Sequence, residues 1–343
     1  MSRFRQYRWF VLAGVITLAF AGVSLTVPRG AALTAISDVG SLLLYLVVAG
    51  AMLANACSER GANRRFWALM GAGGVLWAAN QAAWVYCEVV RRTTVPDPWF
   101  MDVFLFLHLV PMIAAVGLRP HRSEGDRKLR VGALDFLLLL VWWVFLYAFV
   151  VFPWQYVSLN MEAYHRNYSS LYMLESGVLM LMLGLAARGA PAGWKMVYLN
   201  LMTASGLYAF YGAGFLGVTL AFSKGAYYSG SLYDIPLIGS VSWMAATALA
   251  AREWKPEAAP ALADDTWSAM TLRLAMLAML SLPALGLWVY RWDDSMAQAR
   301  TFRLFTVLAA MLVLGVFVFV RQYLQDQALI HLLGDSRRSF ENE

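Results

Sequence analysis

The sequence predicts an all-α polytopic membrane bundle of about ten transmembrane helices, followed by a cytoplasmic C-terminal linker helix. Of its 343 residues, 60% are hydrophobic and 14% are charged, whereas soluble domains average about 45–50% apolar and about 25% charged residues. The mean hydropathy is +0.57. Apolar runs of about 20 residues, the length that crosses a bilayer core, recur along the chain. Together these observations argue against an ordinary soluble domain.

Ten apolar runs define the predicted spans. They cover residues 9–27, 35–57, 66–90, 101–118, 134–154, 168–187, 194–222, 233–251, 272–290 and 302–320. The first run follows a basic segment and contains Ala19-Phe20-Ala21, so this stretch resembles a signal peptide. Because its apolar residues continue to Val27, we expect an uncleaved first helix.

The spacing of these runs predicts four segments. Residues 1–251 form an eight-helix membrane bundle, and 252–271 form a cytoplasmic linker rich in alanine, proline and aspartate. Residues 272–320 form a final pair of helices, and 321–343 form a cytoplasmic helix.

The distribution of basic residues predicts that both termini lie in the cytoplasm. With the N-terminus inside, most arginine and lysine residues fall on the cytoplasmic side, as the positive-inside rule requires. The net charge of +6 therefore reports orientation, and we expect no nucleic-acid partner. Cys57 and Cys87 fall at opposite faces, so we expect two small buried side chains and no disulfide between them.

Polar residues in the third and fourth spans predict a pocket near the outer face. Trp77, Gln81, Trp84 and Glu88 are spaced by four, three and four residues, so they share one helix face. Asn80 lies beside this face, and Asp102 and His108 lie on the next helix. The candidate pocket residues are Trp77, Asn80, Gln81, Trp84, Glu88, Asp102 and His108. Such a pocket would bind a small or hydrophobic ligand. The alternative is an aromatic belt with hydrogen bonds between helices.

Other acids lie within or beside the apolar runs. Glu175, about two turns into the sixth predicted span, would bind a cation or proton, or pair with a neighbouring helix. Asp38, Asp102 and Asp234 each open a helix that runs inward, where a carboxylate caps free N–H groups. We expect capping to be their ordinary role.

Several kinds of chemistry have no motif in this sequence. It contains no HExxH, no GxSxG, no Walker loop and no Cys/His zinc spacing. Of the four histidines only His108 lies in a predicted span, so haem held by two histidines within the membrane is not expected. We expect no cofactor, no metal and no catalytic set within residues 1–343.

The segment RRFWALMGAGGVLWAANQAAWVYCEVVRR, continued by VPDPWFMDVFLFLHLVPMIAAVGLRP, resembles the multi-helix input regions of bacterial sensor proteins. VGALDFLLLLVWWVFLYAFVVFPW resembles the next span of that group. LLGDSRRSFENE is similar to the linker helix that enters a histidine-kinase dimerisation domain, and to linkers of PAS and diguanylate cyclase domains. The resemblance implies a sensory input module in the bacterial cytoplasmic membrane, most often that of a two-component sensor histidine kinase.

The chain departs from that group in lacking the output motifs. It has no phosphoacceptor H-box, no ATP-lid glycines and no GGDEF-type loop, and His331 is not followed by the expected acid. We therefore expect the catalytic domains to lie beyond residue 343. The alternative function is a small-solute transporter, and a third is a membrane enzyme or assembly factor that uses Glu88, Asp102 and His108.

The last segment predicts a signalling helix. Its candidate seam steps by three and four residues, close to a heptad repeat but interrupted by polar residues. The seam and neighbouring apolar positions are Tyr323, Leu324, Gln327, Ile330, Leu333 and Phe340. Their apolar surface favours a parallel homodimer through this helix, with membrane lipid as the other partner.

Overall fold

A computed structural model describes residues 3–121, 128–212, 227–254, 256 and 280–341. All regular secondary structure within these ranges is helical. The backbone forms two compact units. Unit 1 contains Met1–Ser123 and Met161–Ala261, and unit 2 contains Glu124–Asn160 and Leu262–Glu343.

The helices follow the predicted order. They are α1 (Arg3–Thr26), α2 (Ala31–Ser58), α3 (Gly61–Val85) with a π-helical turn at Tyr86–Val90, α4 (Asp102–Leu107), α5 (Leu109–Gly117), α6 (Lys128–Val150) followed by a second π-helical turn at Pro153–Val157, α7 (Met161–Arg188), α8 (Ala192–Gly212), α9 (Ile235–Trp254) after a 3-10 turn at Leu232–Asp234, α10 (280–292) and α11 (Ala297–Glu341). Each predicted span falls largely on helical backbone wherever the structure describes it, but the fourth is interrupted at His108 and the fifth at Val151.

Five helices within the described ranges are long and apolar enough to cross a membrane. They are Tyr7–Thr26, Ala31–Ser58, Met161–Arg188, Leu232–Trp254 and Ala297–Tyr323. Two shorter apolar stretches are Asp102–Gly117 and Leu137–Val150. Large apolar side chains such as Leu18 and Leu312, each 74% exposed, cover the outside of these helices. Such a surface suits lipid better than water, so the chain has the character of a multi-pass membrane protein.

Six helices of unit 1 form a closed ring. α2 packs on α3, α3 on α5, α5 on α7, α7 on α8, α8 on α9, and α9 returns to α2, while α1 packs against α9 from one side. Buried residues from the ring helices fill its interior, including Tyr45, Trp77, Met112, Leu179 and Met244. The ring therefore places several helices around one central space.

Glycines on α3 set the spacing of this ring. A Cβ added at Gly74 would lie 3.1 Å from the Cα of Ala49 on α2, and one added at Gly73 would lie 2.6 Å from the carbonyl oxygen of His108. Both faces of α3 thus touch neighbouring backbone directly. The sequence GAGG at 71–74 lets one helix pack closely against two others.

Unit 2 is organised around a buried arginine. The Arg303 guanidinium on α11 binds the Asp293 carboxylate at 2.7 Å and donates through Nε to the Phe149 carbonyl at 3.1 Å. It also lies 5.1 Å from the centre of the Trp154 ring. Burial alone raises the pKa of Asp293, but hydrogen bonds from Arg303 and Ser295 more than offset this and lower it below its ordinary 3.8. The pair therefore stabilises the fold above that pH.

The division into units differs from the four predicted segments. α6, which the sequence placed with the first eight helices, packs against α11 and belongs to unit 2. Most of the predicted linker 252–271 lies outside the described residues, although 252–254 continue α9. Hydrophobic runs mark helices but do not show which helices pack together, so the predicted eight-helix grouping rested on chain order alone.

The last helix is a single long element. α11 runs for 45 residues from Ala297 to Glu341, and it passes through Gly334 as helix. Of the predicted seam, Tyr323 is 56% exposed, and Gln327 lies one turn away with Nε2 donating to the Tyr323 hydroxyl at 3.4 Å. The side chains of Leu324, Ile330, Leu333 and Phe340 lie outside the described residues.

Candidate functional site

The ring of unit 1 encloses a small cavity. Its lining residues are Trp77, His108, Leu109, Met112, Ser176, Leu179, Ser205, Tyr208 and Met244. They come from α3, α5, α7, α8 and α9, together with the break between α4 and α5, and all of them are buried. Its volume is about 10 Å³, enough for about one water molecule. The cavity therefore has room for one small molecule or ion.

His108 reaches this cavity because the fourth predicted span is broken. Pro111 has no N–H and its ring crowds the carbonyl four residues earlier, at Leu107. The helix stops there, and α5 resumes at Leu109. The missing side chain of Gly73 leaves room for the His108 carbonyl, and Trp77 stacks on the imidazole with ring centres 4.7 Å apart. Gly73 thus accommodates the His108 backbone, and Trp77 holds its imidazole.

The imidazole presents a lone pair to the cavity wall. Nδ1 of His108 contacts the carbonyl oxygen of Leu105, and only a protonated nitrogen can donate to a carbonyl. Nε2 of the neutral ring is then an acceptor. Within the described ranges, neither Nε2 nor the hydroxyl of Ser176, which also lines the cavity, has a hydrogen-bond partner. Buried polar atoms normally have partners, so these two atoms make the cavity a candidate binding site.

Glu175 lies deep in the same region. It is fully buried, and neither carboxyl oxygen has a hydrogen-bond partner among the residues described. It interacts electrostatically with Tyr172 and Tyr208, whose hydroxyls are 2.6 Å apart. Because α7 begins at Met161, Glu175 lies about four turns into its helix, and the expected two turns is corrected. Of the two roles expected for it, pairing with a basic or polar side chain is not seen in the described part of the chain.

A second group of acids joins three elements near the π-helical turn. Ser229 donates to the Glu88 carboxylate at 2.7 Å, while the Asp234 carboxylate accepts from the Gly230 N–H at 2.8 Å and from the hydroxyl of Tyr227 at 3.0 Å. Asp38 interacts with both of these acids, is 3% exposed, and keeps one oxygen without a partner among the described residues. Three carboxyl groups thus share one region of low solvent access.

The expected capping role is wrong for Asp38. α2 begins at Ala31, so Asp38 lies on the third turn, beyond the free N–H groups that a cap satisfies. Asp234 fits better, since it ends the 3-10 turn immediately before α9, but its carboxylate binds the preceding loop. Asp102 begins α4 and accepts from the N–H of Trp99 at 3.2 Å.

Asp102 lies in a third place, at the start of α4. Its carboxylate accepts a hydrogen bond from the Tyr164 hydroxyl, and Tyr168 donates to its backbone carbonyl at 3.4 Å. Trp84 packs edge-on against Trp99 beside it, with ring centres 6.1 Å apart. This group forms a polar and aromatic rim.

The predicted pocket is therefore distributed over three places. Trp77 and His108 line the cavity, with Glu175 nearby. Glu88 lies with the acids Asp38 and Asp234, and Gln81 donates to the backbone carbonyl of Asp38 at 3.3 Å. Trp84 and Asp102 lie at the rim, and Asn80 is buried on α3. The proposed enzymatic trio of Glu88, Asp102 and His108 falls in all three places.

Sequence reasoning missed Ser176 and the pairing of Asp38 with Glu88. The serine follows directly after Glu175, and a small polar residue next to an intramembrane acid was the available signal. For Asp38, an acid inside an apolar run was the signal, but the predicted helix began too late to show it. Tyr164, Tyr168, Tyr172 and Ser176 recur every four residues on α7, which predicts a shared polar face.

Both cysteines are free thiols, and the expected burial is wrong, since Cys57 is exposed and Cys87 is half-buried. No group of three or more His, Cys, Asp or Glu side chains in the described part is arranged to hold a metal ion. The chain matches no family model, and no curated protein and no solved structure is detectably similar to it. Function must therefore be argued from the cavity, the acids and the long last helix.

Proposed function

We propose that this chain is the membrane-embedded sensory input module of a bacterial signalling receptor. The observation that supports this most is α11, one uninterrupted helix of 45 residues. At about 1.5 Å per residue such a helix is about 68 Å long. Its stretch Ala297–Tyr323 is apolar enough to cross a membrane, and the remainder carries charged residues to Glu341. A rod of this kind suits the transfer of motion from a membrane to an output domain.

Mechanically, the signal would be a change between two packings of α11. A piston movement, a rotation or a scissor movement of a stiff helix can bias such a pair of states. The Arg303–Asp293 pair and the stacked rings around it hold one end of α11 against its neighbours in unit 2. Because a buried ion pair loses much energy when one partner is withdrawn, this contact favours discrete states over gradual bending.

The topology, the dimer, the output and the stimulus are proposed from the sequence. The chain crosses the bacterial cytoplasmic membrane about ten times, with both termini in the cytoplasm. α11 pairs with the same helix of a second copy to form a parallel homodimer. The output is that of a histidine kinase or a related enzyme, and the stimulus is a small or hydrophobic ligand taken up by unit 1.

One observation favours transport as a second candidate. Discontinuous helices near the middle of the membrane form substrate sites in many transporters, and the α4–α5 break places His108 beside the cavity. Transport requires passage of a solute across the bilayer, whereas an input module requires none. Uptake into sealed vesicles therefore separates the two candidates.

The test joins the full chain, at Glu343, to the dimerisation and catalytic domains of a histidine kinase. Autophosphorylation is measured in membrane vesicles for Glu88→Gln and for a matched control, Glu162→Gln. Glu88 is half-buried beside the buried acids Asp38 and Asp234, whereas the Glu162 side chain is 92% exposed. The proposal expects a changed output only for Glu88→Gln at equal expression. Unchanged output in both, together with solute uptake, would instead support the transporter.

A further inference from the structure

The cavity in unit 1 carries a set of donors that its sequence motifs did not reveal. His108 and Met112 lie one helical turn apart in sequence, and Met244 comes from α9 on another side of the ring; all three line the same small space. Each is buried to 97% or more, with exposures of 0%, 0% and 3%. We infer that this cavity is a binding site for one soft monovalent metal ion, Cu(I), held by the imidazole of His108 and the thioethers of Met112 and Met244.

The ligand chemistry favours Cu(I) over harder ions. Thioether sulfur is a soft donor that selects Cu(I), and imidazole is a common ligand for copper, whereas Mg²⁺ and Ca²⁺ prefer oxygen. His108 Nε2 has a free lone pair, since Nδ1 carries the proton toward Leu105, and it is unpartnered in the described structure. Nε2 of His108 and the sulfur atoms of Met112 and Met244 together make a donor set suited to a soft metal ion.

The surroundings also suit a single positive charge. The Glu175 carboxyl lies near the cavity-lining Tyr208, fully buried and without a hydrogen-bond partner in the part of the chain described. An ionised carboxylate is costly there unless a positive charge compensates it. One Cu⁺ ion bound at Nε2 of His108 would supply such a charge close to Glu175, although Glu175 does not itself line the cavity. A dipositive ion would leave an uncompensated charge.

The cavity also has the right size and shape. Its volume of about 10 Å³ admits one water molecule or one ion but no organic ligand. Stacking on Trp77 and the Nδ1 contact with the Leu105 carbonyl fix the imidazole before any ion arrives, which lowers the entropic cost of binding. A water molecule would satisfy His108 and Ser176 without using either sulfur atom, and it is the competing outcome of the test.

The experiment titrates the purified full chain in detergent with Ag(I), and with Cu(I) under a reductant in competition with a Cu(I)-selective chelator. We expect one equivalent of either ion to bind. Met112→Leu and Met244→Leu, which conserve volume, should weaken binding by at least about 100-fold, since even outer-shell partners of a metal contribute about 10- to 100-fold. His108→Leu should abolish binding. X-ray absorption should show one nitrogen and two sulfur ligands.

Matched controls keep the result interpretable. Met52→Leu and Met70→Leu alter methionines that are equally buried, at 0% and 1% exposure, but do not line the cavity, and they should bind copper as the parent does. Absence of binding, binding unchanged in the cavity variants, or equally tight binding of Zn²⁺ would overturn the assignment. Binding needs no output domain, so the metal site stands or falls separately from the sensory role.

That copper is also the stimulus rests on the proposed function. If so, adding Cu(I) to vesicles that carry the kinase fusion should change autophosphorylation in the parent and in Met70→Leu, but not in Met244→Leu. Copper binding without any change of output would uphold the metal site and overturn copper as the signal.

Discussion

Gly73 gives the sharpest test of how the ring is packed. In Gly73→Ala the new Cβ would lie 2.6 Å from the carbonyl oxygen of His108 and 2.8 Å from Cγ of Met112. Separations below 3.0 Å are essentially never seen for real Cβ atoms, so α3 and α5 must move apart by several tenths of an ångström. Overpacking of this kind costs about 1–3 kcal/mol in a well-packed core.

Helix propensity works in the opposite direction, because alanine is favoured over glycine within a helix by about 0.8–1.0 kcal/mol. Gly50→Ala on α2 isolates that gain, since nothing lies within 4 Å of a Cβ added at Gly50. We therefore expect Gly73→Ala to be less stable than Gly50→Ala by about 1–3 kcal/mol. The free energy of unfolding in mixed micelles, followed by circular dichroism, measures this difference. Equal stability of the two variants would refute the close approach of α3 and α5.

Three further predictions concern other buried contacts. Arg303→Met should lower the free energy of unfolding by about 3–5 kcal/mol at neutral pH, because it leaves Asp293 buried without its partner. This loss should become smaller as the pH falls through the lowered pKa of Asp293. Measuring unfolding at pH 7 and at pH 3 tests both statements. Asn55→Ala removes a donor to the Ala248 carbonyl and an acceptor for Arg252, so unfolding in mixed micelles should reveal a loss of about 1–3 kcal/mol. Phe66 is 0% exposed and packs among aromatic rings. Phe66→Ala should therefore lower the free energy of unfolding by about 3–5 kcal/mol, measured by thermal unfolding.

Much of the fold follows from the sequence because lipid leaves few choices. A chain that must satisfy its backbone within a bilayer forms helices, so apolar runs gave the helices and their order. Boundaries were less certain, since α7 begins at Met161 and not at the predicted 168. The interruption at His108 was foreseeable from Pro111 but was not expected. The grouping of α6 with α11 depends on packing between distant segments, which hydropathy does not encode.

The candidate site was predictable in some of its residues but not in its arrangement. Trp77 and His108 were both expected at a pocket, and the structure stacks them. Glu88 and Asp102 were assigned to that same pocket, but the π-helical turn at Tyr86–Val90 brings Glu88 to Asp38 and Asp234. Such a turn shifts the phase of every later side chain, so a face counted at regular helical spacing fails there. Met112 and Met244 resembled ordinary core residues and carried no sequence signal of a site.

The claim that α11 transmits a signal is tested most directly by inserting residues after Asp326 in the kinase fusion. One inserted alanine turns the following helix by about 100°, whereas seven residues return it to within about 20° of its original phase. We measure autophosphorylation in membrane vesicles for insertions of one to seven residues. The account predicts altered output for one residue and recovery for seven. Output that is the same for every insertion would contradict it, because α11 would then be a tether and not a signalling rod.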